Sequence, residues 1–347
     1  MITKELLNLS LMANEGKDAS SPHQRYEQFI SSLPLRQGSL RSRWYRGCLY
    51  PEIHLPGLLA FCDDFKPLDT DIFLLSLPKS GTTWLKALVF ATAHRKDHSP
   101  FAPDHPLLRL HPHDCVPMVD EVFGQGQESK LDALPSPRIL NMHAAYPLLP
   151  QSLTSSECKF IYICRDPKDT MVSGWHFGNR VVQDGREPVP GQFDKAFESF
   201  CRGLSPFGPF WEHILGHWRE SLKRPWKILF LKYEDMMEDP EGNLRKIAEF
   251  LECPFSKEEE KDGVAEGIVR LCSFQKLSGL EVNRTGDRGL KHLAIENSSY
   301  FRKGKVGDWK NYLTADMVEK LDRILEEKFR GSGLSFGHAQ SNNAVKD

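Results

Sequence analysis

DIFLLSLPKSGTTWLKALVFATAHR, residues 71–95, decides how this chain is read. A near-continuous apolar run from Ile72 to Leu77 leads into a loop of small residues, Pro78-Lys79-Ser80-Gly81-Thr82-Thr83. A helical pattern follows, with Trp84, Leu85, Leu88 and Val89 on one side. Strand, loop and helix in that order is the layout of a phosphate-binding loop. The glycine lets backbone amides approach an anion, and the helix start adds its positive end. Ser80, Thr82 and Thr83 add hydroxyls, while Pro78, which lacks an N–H, tightens the entry. The lysine is misplaced for a nucleoside triphosphatase. The Walker pattern G-x-x-x-x-G-K-[ST] puts lysine after the last glycine, and here Lys79 precedes Gly81. Taken alone, S-G-T-T also fits a plain helix cap after a buried strand. With Lys and Pro before it and Trp after it, an anion site is the better reading.

Outward from this unit, further strands are predicted at 138–143 (RILNMH), 159–164 (KFIYIC) and 227–233 (KILFLKY). Helical patterns lie at 82–95, 167–180 and 240–252, and again at 193–203, 207–222, 257–271 and 314–329. Short apolar strands separated by helices predict an α/β fold: a single domain with a central parallel sheet flanked by helices. Residues 21–335 are expected to form that domain, with mobile tails at 1–20 and 336–347. Stretches 97–137, 181–192 and 282–307 carry no clear pattern, and segments of this kind are often binding loops. Ligands of parallel sheets bind at the carboxyl ends of the strands. The 78–83 loop and His143 both fall at such ends.

Composition narrows the function classes. The chain has 347 residues, a formal net charge of −2, 40% hydrophobic and 27% charged residues, so it offers no global attraction to nucleic acid or an anionic membrane. The 8 cysteines, at 48, 62, 115, 158, 164, 201, 253 and 272, include no C-x-x-C and suit buried thiols in a reducing compartment. The N-terminus, MITKELLNLSLMANEGKD, has no continuous apolar region of a signal peptide, and no run approaches the roughly 18 apolar residues of a membrane span. A cytoplasmic location is expected. The sequons at Asn8, Asn283 and Asn297 then carry no meaning.

Two further clusters carry chemistry. In KFIYICRDPKDTMVSGWHF (159–177) Arg165 follows the strand, Asp166 can cap the next helix and Ser173 lies about two turns in. Arg165 could fork two phosphate oxygens and Ser173 add a hydroxyl. Alone, the stretch is better read as a capped helix with a surface Arg–Asp pair. In YFRKGKVGDWKNYLTADMVEK (300–320), Arg302, Lys303, Lys305 and Lys310 interleave with Gly304 and Gly307. Such a segment can bend round a phosphate, although its composition alone suits a basic surface loop. HPHDC at 111–115 offers two His, one Asp and one Cys, but no second ligand pair, so no metal site is expected.

PKSGTTW, the Arg165–Ser173 stretch and RKGKVGDWK at 302–310, in that order, resemble the cytosolic sulfotransferases, most closely plant members, from about residue 26 to 335. The resemblance implies 3′-phosphoadenosine 5′-phosphosulfate as donor and adenosine 3′,5′-bisphosphate as product. It places Lys79, Ser80, Gly81, Thr82 and Thr83 on the 5′-phosphosulfate, with Lys79 at the oxygen bridging phosphorus and sulfur. Arg165, Ser173, Arg302, Lys303 and Gly304 fall on the 3′-phosphate. Trp84 and Phe274 sandwich the adenine, Tyr233 meets its edge and Cys272 stands near it, where animal members often have Thr. His143 in NMHAAYPLLP takes the place of the catalytic base. The implied reaction is metal-independent sulfuryl transfer to the hydroxyl of a small molecule.

Departures from the family pattern are visible. Many animal members carry Lys two residues before the histidine, where this chain has Asn141. The dimerisation pattern K-x-x-x-T-V-x-x-x-E reads KNYLTADMVE at 310–319, with Ala315 in the Val position, which leaves monomer and weak homodimer open. FGPFWEHILGHWRESLKRP (207–225) looks most like members acting on hydroxyjasmonates, while flavonols, brassinosteroids, desulfoglucosinolates and salicylates are acceptors of others in the group. A small-molecule kinase or a non-catalytic nucleotide module are the rival classes. The first lacks its G-K-[ST] here, and the second has no need of both Lys79 and His143.

Overall fold

Apolar side chains alternate between two faces along four short strands, and each face finds its own cluster of buried residues. In β1 (Ile72–Ser76), Phe73 and Leu75 join one cluster while Ile72 and Leu74 join the other. β2 (Ile139–Met142) divides Leu140 and Met142 from Ile139, and β3 (Lys159–Cys164) divides Phe160, Tyr162 and Cys164 from Ile161 and Ile163. β4 (Ile228–Lys232) sends Ile228 one way and Leu231 the other. A strand apolar on both faces can only lie between two layers of helices.

The computed structural model describes residues 21–36, 40–183, 193–288 and 293–336. The expected tails at 1–20 and 336–347 lie outside it, Phe336 apart, as do Asn8 and most of 181–192. The sheet runs β2-β1-β3-β4, every pair parallel, with Ile72 opposite both Ile139 and Lys159 and Phe160 opposite Ile228. One face carries α1 (Leu55–Asp64), α4 (Phe210–Lys223) and α7 (Ala315–Phe329); the other carries α2 (Thr82–Ala93), α5 (Pro240–Phe250) and α6 (Val264–Leu271). α3 (Pro167–Gly178) follows β3, capped by the Asp166 carboxylate, which accepts from Lys168 N at 2.8 Å. The expected α/β architecture is present.

Several expectations need correction. The helix read over 257–271 is two, Lys257–Lys261 and α6, because Gly263 sits at φ +68°, which ends one helix and opens the next. Tyr233 does not close a strand but starts a short helix, Tyr233–Glu238. The unpatterned 97–137 holds four short helical turns, among them Pro112–Cys115 and Val119–Gly124. An antiparallel sheet of Leu35–Arg36, Ser42–Tyr45 and Cys48–Pro51 precedes α1 and was not expected.

Candidate active site

The loop between β1 and α2 has the backbone of a cradle. Lys79 has φ +70° and Gly81 φ +105°. A Cβ on Gly81 would fall 2.7 Å from Tyr233 Cδ2 and 3.2 Å from Ile163 Cδ1, so the chain can pass there only as glycine. Lys79 adopts the left-handed region without being glycine, a conformation that costs about 1 kcal/mol or more and collects at functional sites. The N–H groups that open α2 have no partner within the helix and stand at its positive end. Ser80 is buried, and the Thr82 hydroxyl lies 2.6 Å from Ser76 Oγ.

Lys79 aims its ammonium at the face of Phe177 on α3, 3.8 Å from the ring centroid. Burial, followed by repulsion from Arg302, Arg165 and Arg180, lowers its pKa from 10.5 to about 7. Three sequence-distant segments thus bring cations to one place, and a cluster of this kind suits a ligand with several negative charges. Arg165 stacks on Tyr233 at 4.7 Å, donates to Lys305 O at 2.7 Å and pairs with Asp169 at 3.3 Å. Its Nε is buried without a partner, as is that of Arg302. Ser173 is buried on α3, though no hydrogen bond joins it to the arginines among the described residues.

Two carboxylates that sequence reasoning passed over shape the 302–309 loop. Asp169, fully buried, accepts from Gly307 N at 2.7 Å and from Trp309 N at 3.0 Å. Asp308 accepts from Arg302 at 2.5 Å, Lys303 at 2.7 Å and Asn311 at 2.9 Å. Burial opposes ionisation of Asp308, but these donors outweigh it and hold its carboxyl far below the usual range. Both aspartates sit inside motifs read for their cations, Asp169 four residues after Arg165 and Asp308 six after Arg302.

The aromatic residues assigned to the base lie around the same loop. Trp84 meets Tyr233 edge-on at 5.6 Å. Phe274 is 39% exposed and packs on Gly304 (φ +60°), where a Cβ would come within 2.5 Å of its ring. Cys272 is fully buried in the core cluster beneath, and burial pushes its thiol pKa upward.

His143 follows β2 directly. Its Nδ1 lies 2.7 Å from Ser76 O and 3.4 Å from Ser76 Oγ, and its own carbonyl accepts from His213 Nε2 at 3.0 Å. With the Nδ1 proton donated to a carbonyl, Nε2 carries the lone pair. Burial lowers the His143 pKa to about 3; the Ser76 carbonyl raises it, and Lys86, His213 and His54 lower it further. Phe207 touches the imidazole at 5.4 Å.

HPHDC does not gather a metal set. His111 Nδ1 accepts from His113 N at 3.1 Å, Asp114 pairs with Arg288 at 2.9 Å, and no group of three or more potential ligands could hold a metal ion among the described residues. An open depression of about 710 Å³ runs from Trp309 to Glu326 and overlaps the 310–319 stretch through Lys310, Leu313, Ala315, Val318 and Glu319. No helix among the described residues is long and apolar enough to cross a membrane.

Comparison with known proteins gives a consistent result. The sulfotransferase domain family matches residues 69–333. Cytosolic sulfotransferase 5 of Arabidopsis thaliana is 46% identical over 294 residues, which is 84% of this chain and 90% of that protein. Flavonol 3-sulfotransferase of Flaveria bidentis is 43% identical over 314 residues, covering 89% of this chain and 99% of that one. A crystal structure of a mouse sulfotransferase complexed with PAP superposes with a TM-score of 0.63 at 29% identity, over 84% of this chain and 95% of its own.

Proposed function

The chain belongs to the sulfotransferase family, and from that premise we propose that it transfers a sulfuryl group from 3′-phosphoadenosine 5′-phosphosulfate to a small-molecule hydroxyl, with His143 as base and Lys79 on the leaving group. The observation that carries this reading is the meeting of two strand ends. The Ser76 carbonyl that orients His143 is the last residue before the loop that presents Lys79.

The residues fit the donor. Gly81 and Gly304 let the backbone pack directly against Tyr233 and Phe274, where a Cβ would clash, and the buried Nε atoms of Arg165 and Arg302 are unspent donors. Arg165, Ser173, Arg302, Lys303 and Gly304 hold the 3′-phosphate; Ser80, Thr82, Thr83 and the loop amides hold the 5′ end; Trp84, Tyr233, Cys272 and Phe274 border the adenine. When bound, the donor supplies an activated sulfuryl group. His143 Nε2 takes the proton of the acceptor hydroxyl as that oxygen forms its bond to sulfur. Lys79 and the loop donors stabilise the charge that grows on the bridging oxygen as the S–O bond breaks, a contribution typically of about 3–4 kcal/mol per preorganised donor. The acceptor is a plant hormone or secondary metabolite of the hydroxyjasmonate, flavonol or brassinosteroid kind. The protein works in the cytoplasm as a monomer or weak homodimer.

The test combines binding and turnover. Calorimetry in excess EDTA is expected to show adenosine 3′,5′-bisphosphate binding, and labelled donor is expected to sulfate members of a hydroxyl-acceptor panel in the same buffer. Binding of ATP–Mg²⁺ alone, or activity that returns only with added metal, would point to the kinase or metalloenzyme class instead.

A further inference from the structure

Two polar contacts hold His143, and they come from different layers of the fold. Its Nδ1 meets Ser76 O on β1, and its carbonyl oxygen meets His213 Nε2 on α4 at 3.0 Å. The paired register of β1 and β2 ends with Leu75 opposite Met142, so His143 lies past it. A buried carbonyl outside a ladder needs another donor, and here the donor is an imidazole N–H. The segment that follows also rests on α4. A Cβ on Gly216 would meet Tyr146 Cβ at 3.5 Å and Pro147 Cδ at 3.9 Å, and the Tyr146 ring meets His217 edge-on at 5.8 Å.

His213 has both nitrogens engaged. It is 1% exposed, and Tyr162 on β3 is fully buried with its hydroxyl 2.9 Å from His213 Nδ1. A carbonyl only accepts, so Nε2 carries the proton. Burial lowers the His213 pKa to about 4, which leaves the ring neutral at pH 7 with Nδ1 as acceptor from the phenol. The hydrogen bonds therefore run one way, from Tyr162 through His213 to the His143 carbonyl. His217, one turn on, stacks on Tyr162 at 4.2 Å and donates from Nδ1 to His213 O at 2.8 Å, which locks the ring pair. His217 Nε2 is buried without a partner, so only His213 passes a bond on to the base. The chain leading into α4 touches the other side: Phe207, at φ +64°, sets its ring 5.4 Å from the His143 imidazole, and its N–H donates to Leu49 O at 2.7 Å.

Resting on the sulfotransferase reading with His143 as base, we propose that His213 is a positioning residue: its Nε2–H, in the tautomer that Tyr162 imposes, holds the His143 peptide and so aims the lone pair of His143 Nε2. Ser76 decides which nitrogen carries that lone pair, and His213 decides where it points. A small misplacement of a base is costly, because proton transfer needs the acceptor hydroxyl within hydrogen-bond reach.

The experiment measures kcat and both KM values in His213→Met, His213→Asn and His213→Gln, with adenosine 3′,5′-bisphosphate affinity as the check on folding. Gln can bring an N–H to the place of Nε2, Asn is one carbon too short, and Met has no donor. Met and Asn are expected to lower kcat roughly 10–100-fold with both KM values nearly unchanged, and Gln is expected to recover most of the loss. If His213→Met does not fold, the Asn and Gln variants, both amides, carry the comparison. In a His143→Asn background, His213→Asn is expected to change the residual turnover by no more than about twofold, because effects routed through one group do not add. Wild-type kcat in His213→Asn, equal losses in Asn and Gln, or a full further loss in the His143→Asn background overturns the positioning role and leaves the sulfotransferase reading intact. Wild-type turnover in His143→Asn alone removes the base on which both rest.

Discussion

The Nδ1 atom of His143 lies 2.7 Å from the carbonyl oxygen of Ser76, so the residue that closes β1 fixes the tautomer of the imidazole that follows β2. The two strands are neighbours in parallel register, with Leu75 opposite Met142, and this places the contact at the end of the sheet where the anion loop begins.

Replacement of His143 by Ala or Asn is expected to lower turnover by about 10²-fold or more while leaving bisphosphate binding nearly intact. Asn can still donate to Ser76 O but has no basic nitrogen, so it separates orientation from proton transfer. Wild-type-like turnover in the Asn variant would end the assignment of His143 as base.

Lys79 gives a proton-linked signature. In the free protein its pKa is lowered to about 7, first by burial and then by three arginines, so at pH 8 most molecules carry it neutral. A multiply charged anion beside it favours the ammonium. Binding of adenosine 3′,5′-bisphosphate at pH 8 is therefore expected to take up close to one proton, read as a dependence of calorimetric heat on buffer ionisation enthalpy. Lys79→Met should remove most of that uptake. Equal heats in all buffers for the wild type would contradict the prediction.

Arg165 distinguishes the two ends of the donor. Charge-assisted hydrogen bonds contribute about 1.5–3 kcal/mol each. Arg165→Ala is expected to weaken adenosine 3′,5′-bisphosphate binding roughly 10–100-fold and to leave adenosine 5′-monophosphate much less affected. Because Arg165 also holds Lys305 O at 2.7 Å, an equal loss for both ligands would mean that its role is to brace the loop.

Histidines make the fold acid-sensitive. Burial lowers the pKa of His105 and His213 to about 4, of His143 to about 3 and of His111 to about 2, and it also lowers His54 and His217. Each folded value lies below the ordinary 6.5 of histidine, so as pH falls from 6.5 the unfolded chain binds protons first. Stability present above pH 6.5 is lost progressively towards pH 3–4. The melting temperature is expected to fall clearly between pH 7.5 and pH 5; a flat profile over that range would show that these imidazoles are not buried neutral.

Much of this was legible beforehand because the signals were local. Each core strand is apolar on successive residues, which no half-exposed strand tolerates, and the loop announces itself by Gly81 between hydroxyls. The antiparallel sheet before α1 escaped because its strands are two to four residues long and its turn, Arg46-Gly47, has arginine where Asn or Asp is the usual signal. Asp169 escaped because the amides it accepts from, those of Gly307 and Trp309, are brought near only by the fold.

Segment 297–309 joins the basic cluster to the 111–113 turn. The Tyr300 ring lies 4.4 Å from that of His113 on the acceptor side and 5.6 Å from the Lys79 ammonium, and Arg302 in the basic cluster is two residues further on. Anyone re-engineering acceptor choice through Tyr300 will therefore disturb donor affinity in the same stroke.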